Sequence, residues 1–372
     1  MPKRECAELE KIPEALAKTG FILEHKAAEE FKRFGWTTIG GRYYADDVDG
    51  RARELDLVAY RVKKLEEINV VTVVLVSCKK DEELTWAFLT KDKPKQDPNF
   101  DWNPVHYWTD VEPLHTYLAS DSWKENYFKA LGPTYSNNLR ATRDIFAFQQ
   151  ISTAKVTPKN DKQIFDSISS LMKALDHELE ALPSRMKGRR RLYNFLLVSV
   201  VDAPLVDVNY SGQKPVSKQV EKLTHLARYM VRRRELTALV HFTNDEHLPK
   251  LAEALTKFAN VSARHMASLS DNAYNAIKSN AKVRNYFAEK LNARLVWRIN
   301  SVFRKIPGSQ TKIESIELDY EDDVLKILID EFDETHLAKL NSDSKFKIEV
   351  AKALKDIARY EGAFVFAENI PF

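Results

Sequence analysis

Residues 69–77 read NVVTVVLVS, a nearly unbroken run of β-branched and apolar side chains. A strand with one face in water alternates apolar and polar residues, whereas a strand that is covered on both faces can be apolar throughout. The run therefore predicts that residues 69–79 form a central strand of a sheet. The chain before and after this strand has to supply its neighbours.

Apolar periodicity and capping residues predict these neighbours. A helix should begin at Phe21 and end near Phe34, because Gly35 follows as a helix stop. The other predicted elements are strands at 36–45 and 53–61, a helix at 161–182 capped by Asn160 or Asp161, a strand at 193–201, a helix around 217–230, a strand at 236–242, a helix from Asn244 or Asp245 to about Phe258, strand-like runs at 294–304 and 313–330, and a helix at 344–359.

This order of elements predicts an α/β fold in which a mixed sheet is flanked by helices. We expect one domain over residues 1–258, with an irregular insertion at about 91–136 that is rich in proline, aspartate, asparagine and aromatic residues. Residues 259–372 should form an appended C-terminal α+β subdomain, to which the sequence assigns no role.

Composition narrows the class of protein. The 372 residues are 44% hydrophobic and 30% charged, which is ordinary for a soluble globular chain, and the net charge of +3 neither requires nor excludes a polyanionic partner. Cys6 and Cys78 are the only cysteines, too few for a zinc cluster or a disulfide framework. The longest apolar run, 195–206, is interrupted by Asp202 and predicts a buried strand, so we expect a cytoplasmic protein without a membrane span.

The candidate catalytic residues lie on the two strands at 53–61 and 69–79. Side chains alternate across a sheet, so Asp56 shares a face with Glu54, and Lys79 shares a face with Ser77. If the two strands pair as a hairpin, Asp56, Ser77 and Lys79 converge at a strand end. The competing interpretation is that such carboxylates and lysines at strand ends are solvated surface charges.

A carboxylate, a backbone carbonyl and a lysine suit hydrolysis of a phosphodiester. Asp56 and the carbonyl of Cys78 could bind Mg²⁺ or Mn²⁺, which would polarise the phosphate and acidify a bound water. Lys79 could orient that water or offset charge on the phosphate. Glu24 is a further candidate, because it falls on an apolar helical stripe with Phe21, although glutamate is also favourable near any helix N-terminus.

Residues 19–80, from TGFILEHKAAEEFKRFGW through RELDLVAY to VVLVSCKK, resemble the PD-(D/E)XK, restriction-endonuclease-like superfamily, in its bacterial branch with REIDxxA and ECK motifs. TWAF at 85–88 and FLLVSVVDAPLVDV at 195–208 resemble later core elements of that branch. The resemblance implies a restriction-endonuclease-like fold, a role in bacterial defence or restriction, and a site formed by Glu24, Asp56 and Lys79.

The chain departs from the family pattern at Ser77, where the family has a second acid. Removing one unit charge about 4 Å from a metal ion removes roughly 4 kcal/mol of attraction at an effective dielectric near 20. Three alternatives stay open at this point. Glu24 or Glu54 compensates and the protein is a metal-dependent nuclease, or the site binds metal only weakly until a nucleic-acid phosphate adds its own negative charge. In the third alternative the protein is a degenerate nuclease fold that serves as a nucleic-acid-binding or scaffold subunit.

The partner expected from the resemblance is nucleic acid, with DNA favoured over RNA, and a homo-oligomer or a partner subunit stays open. The basic segments KGRRR at 187–191 and RYMVRRRE at 228–235 could contact phosphates, although charged residues are also common near element ends. The residues predicted to bind nucleic acid are Lys80, Lys187, Arg189, Arg190 and Arg191.

Overall fold

The computed structural model describes most of the chain, apart from the two termini and several short internal segments. The described residues are 9–46, 50–65, 68–94, 96, 100, 102–120, 122–185, 189–330 and 333–369.

The chain alternates between strands and helices along most of its length. The strands are β1 Thr37–Ala45, β2 Ala52–Lys64, β3 Asn69–Lys80, β4 Leu84–Asp92, β5 His106–Thr109, β6 Arg143–Ser152, β7 Arg191–Asp202, β8 Leu205–Asn209, β9 Val216–Val220, β10 Lys222–Val231, β11 Arg234–Asn244, β12 Glu317–Glu321, β13 Val324–Ile329 and β14 Phe364–Glu368. The helices are α1 Ile12–Ala17, α2 Phe21–Arg33, α3 Glu112–Leu118, α4 Lys124–Ser136, α5 Lys162–Arg185, α6 Leu248–Asn275, α7 Ala281–Phe303, α8 Glu334–Ser342 and α9 Ser344–Ala358.

The largest sheet is mixed and has the strand order β1-β2-β3-β7-β11-β10, with β5 added to β7. β3 lies in its interior, antiparallel to β2 and parallel to β7, and nine consecutive residues of β3 are buried. This arrangement confirms the central strand that the apolar run predicts. The coarse prediction of an α/β fold with a mixed sheet flanked by helices is also confirmed, since α5 packs its apolar stripe against this sheet.

Two smaller sheets complete the strands: β6-β4-β8-β9 and β12-β13-β14. The chain divides into two compact units, one made of residues 1–110 and 128–264 and the other of residues 111–127 and 265–372. The sequence places the boundary at 258/259 instead and does not assign 111–127 to the second unit. The second unit has its own core, in which α7 and α9 pack with β12, β13 and β14.

Three sequence predictions of local structure are wrong. Residues 217–230 form β9 and β10 and not a helix, because β10 pairs along its length with β11 in a hairpin whose turn residues Arg232 and Arg233 both have positive φ. Residues 294–304 lie largely in α7 and not in a strand. The region 91–136 is not irregular throughout, since it contains β5, α3 and α4.

Two helices differ from their predictions in detail. The helix predicted to end near Phe258 continues as α6 to Asn275, with Asn244 accepting a hydrogen bond from the backbone of His247 just before it. On α2 the buried stripe is Leu23, Ala27 and Phe31, whereas Phe21 is 68% exposed. Glu24 therefore lies beside the buried stripe and not on it.

Candidate functional site where two strands part

Asp56 lies at the point where β2 stops pairing with β3. The last residue pair reported between these strands on this side is Leu57 with Val76. Immediately beyond it, the Asp56 carboxylate accepts a hydrogen bond from the backbone N–H of Cys78 at 2.6 Å. β3 nevertheless continues beside β7 as far as Lys80. Beyond the last ladder pair, a side chain of β2 thus provides the hydrogen-bond acceptor for β3.

The same contact orients the carbonyl of Cys78. The N–H and C=O groups of one strand residue point to the same edge of the strand. Because the N–H of Cys78 points to Asp56, its carbonyl points to the same edge, away from β7. The two oxygen donors that the sequence proposes for a metal, on Asp56 and Cys78, therefore lie on one edge of β3.

Two glycines of β1 allow that strand to pass close to Glu54 and Asp56 of β2. Gly41 has φ +59°, and a Cβ atom at this position would lie 3.1 Å from Oε1 of Glu54. Any larger residue would be strained by its backbone conformation and crowded by the carboxylate. Gly40 lies opposite Leu57 in the β1–β2 ladder, next to Asp56.

Glu24 contributes from α2. Its burial raises the pKa of its carboxyl, and the negative charges of Asp56 and Glu54 raise that pKa further, whereas Lys79 lowers it. Burial also raises the pKa of the Cys78 thiol well above its usual value, with Asp56 and Glu24 adding to that rise. Glu24, Glu54, Asp56 and Lys79 therefore share one electrostatic neighbourhood, which we call the strand-end cluster.

Ser77 occupies a buried position beside the strand-end cluster. It is 1% exposed, and its hydroxyl has no hydrogen-bond partner among the described residues. It lies opposite Ser199 in the β3–β7 ladder, and the Ser199 hydroxyl accepts a hydrogen bond from Ser167 of α5 at 2.7 Å. The start of α5 is thereby tied to the sheet at the level of Ser77.

Lys79 lines a cavity of about 390 Å³ at the start of α5, which we call the helix-start cavity. Gln150, Lys162 and Asp166 line the same cavity. Asp166 is a carboxylate near Lys79 that sequence reasoning missed. No local signal marks it, because its position depends on the packing of α5 against β3.

A buried polar network holds this end of α5 in place. The Asp81 carboxylate accepts hydrogen bonds from Trp86 Nε1 at 2.7 Å and from the side-chain amide of Gln150. The side-chain oxygen of Gln150 in turn accepts the backbone N–H of Gln163 in the first turn of α5, at 3.4 Å. The network links β4 and β6 to the first turn of α5, just before Asp166.

The donor set fits a hard divalent cation in its chemistry. Carboxylate and carbonyl oxygens are the ligands that Mg²⁺ prefers. Burial is the main cause of the raised pKa of Glu24, and a cation between the acids would relieve the repulsion from Asp56 and Glu54 that adds to it. In the described part of the chain, however, no group of three or more histidine, cysteine, aspartate or glutamate side chains is already gathered as a metal site. The cluster therefore fits a divalent cation by the type of its ligand atoms and by the position of two of them on one edge of β3.

The residues predicted to contact nucleic acid are divided between two ends of the sheet. Lys80 lies beside the strand-end cluster, but its ammonium group contacts Glu82 at 2.6 Å and Asp202 at 3.6 Å. Arg191 lies opposite Asn69 in the β3–β7 ladder, ten residues from the level of Lys79. At about 3.3 Å per residue the separation is roughly 33 Å. Lys187 lies outside the described residues.

Both basic segments are tied to acids. The Asp110 carboxylate accepts the backbone N–H groups of Arg189, Arg190 and Arg191 at 2.6–2.9 Å, which orders this loop and leaves the Arg189 and Arg190 side chains exposed. In the other segment, Arg232 and Arg234 form ion pairs with Asp176 and Glu180 of α5. Their charge is largely offset by that helix.

In comparisons with known proteins, no family model, no curated protein and no solved structure matches the chain. Over the residues that the structure describes, no helix is long and apolar enough to cross a membrane.

Proposed function

We propose that the protein is a metal-dependent endonuclease of the PD-(D/E)XK, restriction-endonuclease-like type, which hydrolyses phosphodiester bonds of DNA or RNA. The observation that carries the proposal is the 2.6 Å hydrogen bond from the Cys78 N–H to Asp56. It brings the acid of β2 to the Ser77-Cys78-Lys79 segment of β3 at the point where the strands part. Two of the motif segments that resemble the superfamily are therefore neighbours, which supports the proposal.

Each residue of the strand-end cluster has a separate task in this proposal. Asp56 and the Cys78 carbonyl would hold Mg²⁺ or Mn²⁺, and the cation would polarise the phosphate and acidify water. Lys79 would stabilise negative charge that develops on the phosphate oxygens. Glu24, whose pKa is raised, is a better proton acceptor than an ordinary glutamate and would hold water beside Asp56.

Asp166 is our candidate for the charge that Ser77 lacks. It lines the helix-start cavity together with Lys79. A carboxylate supplied from α5 would restore part of the roughly 4 kcal/mol of attraction that serine does not provide. A role in bacterial defence or restriction follows from the resemblance alone.

A nuclease assay tests this proposal. Supercoiled plasmid and a labelled single-stranded oligonucleotide are incubated with Mg²⁺ or Mn²⁺ and with wild type, Asp56→Asn, Lys79→Gln or Asp166→Asn. We expect metal-dependent cutting that falls at least 100-fold in the first two variants and at least 10-fold in the third, in line with the loss of one charged group at a transition state. Asp144→Asn and Lys218→Gln, both exposed on other strands, are the matched controls. Cutting that survives Asp56→Asn and Lys79→Gln would place the activity elsewhere.

The second candidate function is a nuclease-like fold that binds nucleic acid without cutting it. The burial of Ser77 and the lack of a gathered three-carboxylate site among the described residues favour it. A wild-type protein that binds nucleic acid but cuts with neither metal would support this function. If Ser77→Glu then creates cutting, the serine marks a loss of activity from an otherwise intact site.

A further inference from the structure

A second cavity lies at the other end of α5, remote from the strand-end cluster. It has a volume of about 230 Å³ and is formed by β1, β2, β3, β7 and the last turns of α5. Leu182 lines this cavity, whereas Asp166 lines the helix-start cavity. At 1.5 Å per helical residue, these two positions are about 24 Å apart. The second cavity therefore belongs to a separate place in the same unit.

One wall of the cavity is apolar. Val58, Val71, Val73 and Phe195 are buried core residues of the sheet that also line the cavity. Interiors of proteins are close-packed, and a space of this size bounded by core residues is unusual. For comparison, a dry cavity of about 150 Å³ is large enough to bind benzene. The space accommodates one ring or a short branched chain.

Another part of the lining carries positive charge. Of the residues that the structure describes, Arg42, Arg185 and Arg191 line the cavity together with one acid, Glu178. Glu178 is engaged on both oxygens, by Arg42 at 3.0 Å and by Arg185 at 3.5 Å. Among the described residues, Arg42 and Arg185 thus share one carboxylate, which leaves an excess of one positive charge on this pair. Guanidinium groups bind carboxylates and phosphates through paired hydrogen bonds.

The mouth of the cavity is apolar and open to solvent. Ile39 and Val62, which both line it, are 41% and 43% exposed. Large aliphatic side chains at a rim next to arginines favour a ligand that has an apolar body and an acidic group. A purely polar anion would leave these side chains in water, and a neutral apolar molecule would leave the arginine excess unmatched.

We propose that this arginine cavity binds a small organic anion, a carboxylate or phosphate attached to one ring or a short acyl chain. The anion contacts the guanidinium groups, and the ring or chain packs on Val71, Val73 and Phe195. The proposal does not depend on nuclease activity, because the cavity shares no lining residue with the strand-end cluster or the helix-start cavity.

Binding of benzoate and phenyl phosphate tests the proposal, with benzamide as the neutral analogue of benzoate. Calorimetry and thermal shift on the full chain should give saturable binding with Kd on the order of 1 mM or tighter for the anions. Benzamide should bind at least 10-fold more weakly. Arg42→Gln should weaken benzoate binding at least 10-fold, whereas Arg228→Gln, exposed on β10, should leave it unchanged.

A cavity-filling variant guards against an effect of Arg42→Gln on folding. Val62→Trp adds an aromatic ring at the exposed rim and should abolish benzoate binding, whereas Val216→Trp, on exposed β9, should not. Melting temperatures without ligand check that each variant is folded. The proposal is overturned if neither anion binds at 10 mM, about ten times the expected Kd, if benzamide binds as well as benzoate, or if binding survives Val62→Trp.

Discussion

The Asp56 carboxylate accepts the backbone N–H of buried Cys78 at 2.6 Å, across the gap where β2 and β3 part. The acid at the centre of the candidate site therefore also satisfies a backbone donor of the sheet. A buried donor that loses its only acceptor costs about 1–3 kcal/mol. Different substitutions of Asp56 can thus distinguish its contribution to stability from its role in metal binding.

Asp56→Ala should lower the free energy of unfolding by about 1–3 kcal/mol, because the Cys78 N–H loses its acceptor. Asp56→Asn keeps an oxygen at the same position and should cost less. Urea unfolding in EDTA compares the two variants with wild type. Equal stability of Asp56→Ala and wild type would show that the Cys78 N–H does not depend on this carboxylate.

Glu24→Gln should raise the melting temperature in EDTA at pH 7.5. Burial and nearby acids in the folded state raise the pKa of Glu24 above its ordinary value of 4.5, so the folded protein binds this proton more tightly than the unfolded chain does. The resulting stability is present below pH 4.5 and is lost as the pH rises through the folded pKa. The variant should therefore be more stable than wild type at neutral pH but not at pH 4.

Divalent cations provide a second readout for Glu24. Mg²⁺ or Mn²⁺ should raise the melting temperature of wild type more than that of Glu24→Gln, because a bound cation relieves the repulsion from Asp56 and Glu54. The matched control is Glu29→Gln on the same helix, where Lys32 lowers the pKa of an exposed carboxyl. An equal response of all three proteins to the metal would remove Glu24 from the site.

His225→Phe should make the protein more resistant to acid. Burial lowers the pKa of His225 from 6.5 to about 4, so the unfolded chain binds this proton first as the pH falls. Stability is lost between pH 6.5 and about 4, at about 1.4 kcal/mol per pH unit for one group. Phenylalanine also removes a buried Nδ1 that has no partner among the described residues.

Urea unfolding at pH 7 and pH 4.5 measures this effect. The variant should match or exceed wild type at pH 7 and retain roughly 2–3 kcal/mol more of its stability at pH 4.5. His25→Gln, exposed on α2, should follow wild type at both values. Parallel loss of stability in His225→Phe and wild type would mean that this ring is not a source of the acid sensitivity.

Local sequence patterns were sufficient to predict much of the secondary structure of the first unit. The periodicity from Phe21 and the stop at Gly35 predict α2 to within one residue, and the apolar run at 69–77 predicts β3. These signals work because helix termination and strand burial depend mainly on the residues themselves. The pairing of Asp56 with the end of β3 follows from the same patterns, since the hairpin connection leaves few alternatives.

Long-range packing decided the structural features that the local sequence patterns did not predict. Residues 217–230 are apolar enough to suggest a helix, yet pairing with β11 makes them strands, and this pairing is not encoded within the segment. Asp166 is an unremarkable position in a helix until α5 docks beside Lys79. The arginine cavity likewise joins residues up to 156 positions apart, from Ile39 to Phe195.

The sequence by itself determined the α/β class, the central strand and the residue types of the strand-end cluster, because these depend on composition and spacing along single elements. Only the tertiary structure decided which side chains meet beyond the β2–β3 hairpin. It placed Glu24 near Asp56, Ser77 in the interior, and the arginines 189–191 at the opposite end of the sheet. Contacts between distant segments arise from helix docking and strand order, and no local pattern specifies them.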